Sequence, residues 1–231
     1  MYDLEYEPAV ANVGRWDLYG PVHKGLRLGH AQLLARLGSA DWGGDVSELL
    51  SDLKAHLRLG ASHIAHEDSH IHPALEARDA GATAHLEEEH TAHRARFAAL
   101  DAQIAGLEVA FQSDRPALGR QLYLAFGKLV AEDLAHMHEE ETQVWPRLCA
   151  THTDAELQAI EGAIIGSLPP TDVVAFMRLM IPAMNRAERA GMLGGMKAGA
   201  PPEAYRGVLE AAARPTLSAD DWAHLEAEGL A

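Results

Sequence analysis

The sequence predicts an all-α protein: an up-down-up-down four-helix bundle over residues 1–150, followed by a helical extension over residues 151–231. Three observations predict it. Helix formers such as Ala, Leu, Glu and Arg are common, and β-branched residues are sparse. Apolar residues recur at helical spacing in four long segments joined by short loops, the pattern of antiparallel neighbours. One short pattern occurs twice, as His63-x3-Glu67-x5-Pro73 and His136-x3-Glu140-x5-Pro146, each member 73 residues after its counterpart (136−63, 140−67, 146−73).

The first segment runs from about Pro21 to Leu37, with Leu26, Leu33, Leu34 and Leu37 at helical spacing. Pro21 suits a first turn, and Gly38-Ser39 ends the helix. Trp42-Gly43-Gly44 is a loop. The second segment runs from about Asp45 to Ala80, bent at Pro73, and Asp79-Ala80-Gly81 breaks it. The third runs from about Thr83 to Phe111, with Leu86, Phe97, Leu100, Ile104 and Leu107 on one stripe. A turn over Gln112 to Pro116 leads into the fourth, about Pro116 to Ala150, bent or relaxed at Pro146.

Beyond Thr151 the texture changes. Thr153-Asp154-Ala155-Glu156 and Asn185-Arg186-Ala187-Glu188 have the form of capping boxes, and Ser218-x-x-Asp221 is a weaker one. Pro169-Pro170, Pro182 and Pro201-Pro202 punctuate four or five short helices. Met177, Met180, Ile181, Met184, Met192 and Met196 supply their apolar faces, as core packing or as an adaptable contact surface.

Composition narrows the function classes. The 231 residues are 48% apolar and 23% charged, ordinary globular usage. The formal charge of −15 argues against a nucleic-acid partner, because phosphate backbones attract the opposite sign. No run of apolar residues is long enough to span a membrane. Met1-Tyr2-Asp3-Leu4-Glu5 lacks the basic and apolar regions of a signal peptide, so a cytoplasmic protein is expected. The single Cys149 excludes an internal disulfide and any Cys-built zinc or iron–sulfur cluster; on a late helix turn it is expected as an apolar filler.

Histidine is the outlier, with 14 residues, most of them clustered in the four long segments. Residues four apart on a helix lie about 40° and 6 Å apart, so each His-x3-Glu pair offers both side chains to one point. The second and fourth segments run the same way in an up-down bundle, and their motifs meet at one level. His23 on the first segment and His90 on the third, with Glu89 and His93 beside it, reach that same end of the bundle. Imidazole and carboxylate without thiolate suit iron, manganese or zinc. Four His and two Glu suit two cations, since carboxylates bridge and an oxo or hydroxo group trims the surplus positive charge. Six protein groups leave coordination positions open for dioxygen, nitric oxide or peroxide.

The same residues resemble the haemerythrin-like (HHE cation-binding) domains over roughly Arg15 to Ala150. The resemblance rests on His23-Lys24-Gly25-Leu26-Arg27, His63-x3-Glu67-Asp68-x2-Ile71-His72-Pro73, Glu89-His90 and His136-x3-Glu140-Glu141-x2-Val144-Trp145-Pro146. The family's His-x3-Glu-Glu-x2-Leu-Phe-Pro pattern is specific when doubled and flanked by two further histidines. The resemblance implies a four-helix bundle around a non-haem di-iron centre, with His23, His63, Glu67, His90, His136 and Glu140 as ligands. The oxygen-carrying members place two histidines four apart on the third helix, whereas here Arg94 and Leu86 flank His90 at that spacing. That departure shifts the expectation from oxygen carriage toward redox chemistry, sensing or iron handling.

Other residues take lesser expectations. His70, His93 and Glu89 are possible additional ligands. Glu67-x-x-His70 is half of a ferritin-like carboxylate site, but Gln143 breaks the matching half. His30 lies seven after His23 and His56 seven before His63, so both are expected one layer further in, facing each other. His66, His72, His85 and His138 are expected to be exposed, and Asp68 and Glu141 to flank the site. Three functions remain: a sensor or binder of a small diatomic, an oxidoreductase acting on peroxide or nitric oxide, and an interaction protein. In the last, the extension holds a protein partner or a second copy and the metal is a structural staple.

Overall fold

The computed structural model describes residues 14–231, which are helix and loop with no strand among them. Four long helices come first: α1 (Gly20–Gly38), α2 (Ser47–His66), α4 (Ala84–Glu108) and α5 (Arg115–Glu139). α2 runs through a π-turn, Glu67–Ile71, into α3 (His72–Glu76), and α5 runs through a second, Glu140–Val144, into α6 (Trp145–Thr151). The bends expected at Pro73 and Pro146 take this form. A proline within a helix has no N–H to give, and its ring crowds the carbonyl four residues back, so the turn before it widens. His72 N–H bonds the Glu67 carbonyl and Trp145 N–H bonds the Glu140 carbonyl, each five residues back. The third segment stops short of expectation. Its apolar stripe ends at Leu107, and Val109 and Phe111 lie in the following loop, 85% and 81% exposed.

α1 packs against α2 and α5, and α4 packs against the same two helices, which closes a ring. One apolar cluster, including Leu33, Leu37, Leu53, Leu57, Phe97, Ile104, Phe126 and Val130, fills much of its length. A second cluster, including Tyr19, Ile71, Leu75, Leu86, Val144, Trp145 and Leu148, caps one end. Each long helix joins the two clusters, and the order alternates. The chain meets the cap first at Tyr19 before α1 and at Leu86 on α4. It meets the long core first on α2 and α5, at Leu57 and Val130, and reaches the cap afterwards at Ile71 and Val144.

The remainder forms α7 (Asp154–Ser167), α8 (Pro170–Met180), α9 (Arg186–Gly199), α10 (Pro202–Val208), α11 (Arg214–Thr216) and α12 (Ala219–Ala227), with a 3₁₀ turn at Ile181–Ala183 and a third π-turn at Leu209–Ala213. Both capping boxes form, at Thr153 and Asn185, and Ser218 Oγ accepts from Asp221 N–H at 3.1 Å. α7 is not set apart from the first 150 residues, because its Leu157 is buried in the cap cluster. From α8 onward a separate cluster forms around Ile181, Leu193, Tyr205, Val208 and Leu225, and Met177, Met192 and Met196 pack against it. α8 lies along α1, where glycine permits the approach: a Cβ on Gly25 would sit 3.0 Å from the backbone carbonyl of Leu179. No helix among the described residues is long and apolar enough to cross a membrane. Residues Met1–Glu5, on which the cytoplasmic expectation rests, lie outside the described residues.

Candidate metal centre

On each long helix the candidate ligands fall between a residue of the long core and a residue of the cap. His23 follows Tyr19, His63 and Glu67 lie between Leu57 and Ile71, His90 follows Leu86, and His136 and Glu140 lie between Val130 and Val144. The result is a polar belt walled by apolar side chains on both sides. All six side chains are buried; Glu67 is 1% exposed and Glu140 0%.

The belt divides into two four-residue groups, His23, His63, Glu67 and Glu140, and His90, His136, Glu67 and Glu140, each with its donor atoms within 4.8 Å of one another. The two carboxylates are shared, and each splits its oxygens between the groups. Glu67 Oε1 lies 3.1 Å from His63 Nε2 and its Oε2 3.5 Å from His90 Nε2. Glu140 Oε2 lies 3.3 Å from His23 Nε2 and its Oε1 3.5 Å from His136 Nε2. Two ring nitrogens meet in each group, His23 with His63 at 3.2 Å and His90 with His136 at 2.9 Å.

The outer ring nitrogens are held by carboxylates. Glu141 meets His23 Nδ1 at 3.0 Å, Asp68 meets His90 Nδ1 at 2.7 Å, and Glu89 meets His136 Nδ1 at 2.7 Å. Each contact fixes the ring and turns its Nε2 inward, the usual support for a metal-binding imidazole. Arginines steady two of these carboxylates: Arg27 grips Glu141 through both terminal nitrogens, at 2.5 and 3.0 Å, and Arg94 donates to Asp68 at 2.6 Å. Arg94 thus stands where a second third-helix histidine was absent from the sequence, and it serves the outer shell.

Burial sets the protonation states. It pushes His63 well below the ordinary imidazole range, His136 down to about 3 and His90 to about 4, so all three are neutral donors at neutral pH. Burial also works against a charged His23, but the nearby Glu140 carboxylate and the hydrogen bond His23 Nδ1 makes to Glu141 outweigh it, and its pKa is raised. Glu67 and Glu140 are both pushed well above the carboxylate range, first by burial; each then feels neighbouring negative charge, Glu140 that of Glu67 above all. None of their four oxygens has a hydrogen-bond partner. A buried carboxylate left without a partner is costly, and two cations between the four imidazoles would satisfy every orphaned oxygen. The residues therefore fit a pair of metal ions, and an all-N,O donor set accommodates iron, manganese or zinc.

The structure places the other candidates outside these groups. His70 is half-buried beside His66, with ring centroids 6.4 Å apart. Glu89 orients His136 rather than facing inward. His93 is buried, but its Nε2 lies 4.0 Å from Asp133 Oδ1 and it joins neither group. His72, expected at the surface, is 2% exposed and stacks on His90 with centroids 5.0 Å apart. The π-turn tucks it behind that ring. His30 and His56 do face each other one layer in, Nε2 of His56 lying 2.9 Å from Nδ1 of His30. His30 Nε2 in turn meets Asp133 Oδ2 at 2.6 Å. Asp133 was missed from the sequence, although the same seven-residue step that located His30 and His56 finds it, counted back from Glu140. Cys149 is buried in the cap, and burial raises its pKa as expected of a filler.

No family model, curated protein or solved structure matches this chain. Fold and site together define the class: an all-helical protein carrying a buried cluster of four histidines and two glutamates able to hold metal.

Proposed function

We propose that the chain is a haemerythrin-like protein in which an up-down-up-down four-helix bundle carries a dinuclear non-haem iron centre that binds, senses or reduces dioxygen, nitric oxide or peroxide. The closed ring of α1, α2, α4 and α5 supports the bundle, and so does the alternating order in which the chain meets the core and the cap. The observation that carries the function is the set of four unpartnered carboxylate oxygens, shared between two pairs of imidazoles. A pair of iron ions there supplies one-electron chemistry and open positions for a small ligand.

The chain's own residues do the rest. Glu67 and Glu140 balance charge and hold the two positions together. Glu141, Asp68 and Glu89 keep three imidazoles aimed inward. Ile71, Leu86, Val144 and Trp145 keep bulk water off one side. Metal analysis of anaerobically purified protein, followed by an absorption spectrum on exposure to air, tests the proposal. Two irons per chain and a near-ultraviolet charge-transfer absorption are expected. A colourless protein with one zinc per chain overturns it. Steady substrate consumption with an electron donor then marks an oxidoreductase, and a stable spectral change without turnover marks a sensor.

A second reading makes the metal a structural staple for an interaction surface. The docking of the extension on α1 just after His23, where Leu179 of α8 meets Gly25 and Glu188 of α9 pairs with Lys24, favours it. Chelation would then unfold the bundle and abolish binding of a protein partner or second copy.

A further inference from the structure

Tyr19 is the last residue before α1 and is completely buried, yet its hydroxyl has no hydrogen-bond partner. Its backbone is fixed. Asp17 Oδ1 accepts from the N–H groups of Tyr19 and Gly20 at 3.0 and 2.9 Å, and the Tyr19 carbonyl accepts from His23 N–H at 2.9 Å. Tyr19 and His23 are four apart and share a side, with ring centroids 5.2 Å apart. Tyr19 packs in the cap cluster among Ile71, Leu86, Val144 and Trp145, so the phenol brings a hydroxyl to an apolar wall.

An orphaned buried donor is a liability that Phe at the same position would remove. The fold has kept it beside the belt of ligands and pointed no protein acceptor at it. No oxygen of Glu67 or Glu140 accepts a hydrogen bond from it. The missing acceptor therefore arrives from outside.

We propose that Tyr19 recognises the small ligand, its hydroxyl donating a hydrogen bond to a compact anion or electron-rich diatomic held at the dinuclear centre. This rests on the dinuclear reading above. Its role is discrimination: a ligand with a lone pair facing the cap gains a charge-assisted hydrogen bond in an apolar setting, and a ligand without one does not.

Azide titration of iron-loaded wild type and Tyr19→Phe, followed by absorption, tests it. Both proteins should hold two irons, and the variant should bind azide roughly tenfold or more weakly, the usual worth of a hydrogen bond to a charged acceptor. A normally loaded variant with unchanged azide affinity overturns the role of Tyr19 and leaves the dinuclear reading standing. A wild type that holds no iron pair overturns both. Two further readouts separate recognition from other roles. Metal-free Tyr19→Phe should melt at or above the wild-type temperature, since it loses an unpaired donor; a clear fall marks the phenol as structural and overturns the proposal. A visible phenolate-to-iron band in the wild type that is lost in the variant marks direct ligation and overturns it too.

Discussion

The two glutamates at the centre carry a heavy local cost. Glu67 and Glu140 are buried, adjacent and unpartnered, so without metal they retain protons. Replacing one by an apolar side chain of similar length should stabilise the metal-free protein. Glu67→Met is expected to raise its unfolding free energy by about 1–3 kcal/mol, the penalty of an unsatisfied buried polar group, and to abolish loading of the metal pair. Chemical denaturation and metal analysis of the same sample check both halves. A variant that loses metal and stability together would assign Glu67 a structural role instead. Asp133 is the opposite case. Burial alone would raise its pKa, but the hydrogen bond from His30 outweighs that and holds it well below the carboxylate range. Asp133→Ala strands His30 Nε2 and should cost about 2 kcal/mol or more by the same assay.

At the level of elements, the proline six residues after each glutamate shapes the site. All three π-turns among the described residues, Glu67–Ile71, Glu140–Val144 and Leu209–Ala213, end just before an X-Pro step: His72-Pro73, Trp145-Pro146 and Arg214-Pro215. The third carries no candidate ligand, so the missing N–H widens the turn without help from metal. Pro73→Ala restores a donor and lets the turn close to ordinary α geometry. Metal-free stability should hold or rise, while the metal pair is released more readily to a chelator, by about tenfold or more as for lost outer-shell support. Equal chelation rates for variant and wild type would show that the widened turn does not position Glu67. Helix packing is checked separately at Gly119, where an added Cβ would fall 2.0 Å from Trp42 Cδ2. Gly119→Ala must displace that indole and should cost about 1–3 kcal/mol, read by denaturation.

For the whole molecule, opposed pKa shifts predict a stability maximum. Burial depresses His56 to about 3, His72 to about 4, and His63, His90 and His136 likewise, all from 6.5. Below pH 6.5 the unfolded chain takes up protons that these five rings refuse, so stability falls as pH falls. Glu67 and Glu140, raised from 4.5, act the other way: the folded state keeps protons that the unfolded chain releases, so stability falls as pH rises. Between pH 4.5 and 6.5 the depressed histidines outnumber the raised carboxyl groups, and above 6.5 the two central glutamates and the raised His23 set the trend. The metal-free protein should therefore be most stable near pH 6.5 and weaken on both sides. Cations replace the carboxyl protons, so metal loading should abolish the alkaline decline. Denaturation across pH with and without metal checks this; a metal-free curve that keeps rising above neutrality would contradict it.

The sequence by itself located the helices and nominated six residues for one end of them, because helical spacing is local and places residues four or seven apart on one face. It located His30 and His56 by the same arithmetic. Only the tertiary structure decided which carboxylates face the centre and which stand behind the imidazoles. Asp68, Glu89 and Glu141 are as close in sequence to the histidines as Glu67 and Glu140 are, and cross-helix distance separates their roles. It also decided that His72 is buried, that the Tyr19 hydroxyl is orphaned and that α8 lies on Gly25. A repeat of 3.6 residues fixes the direction a side chain takes from its own axis. What waits there depends on a neighbouring helix many residues away, and that is settled by packing.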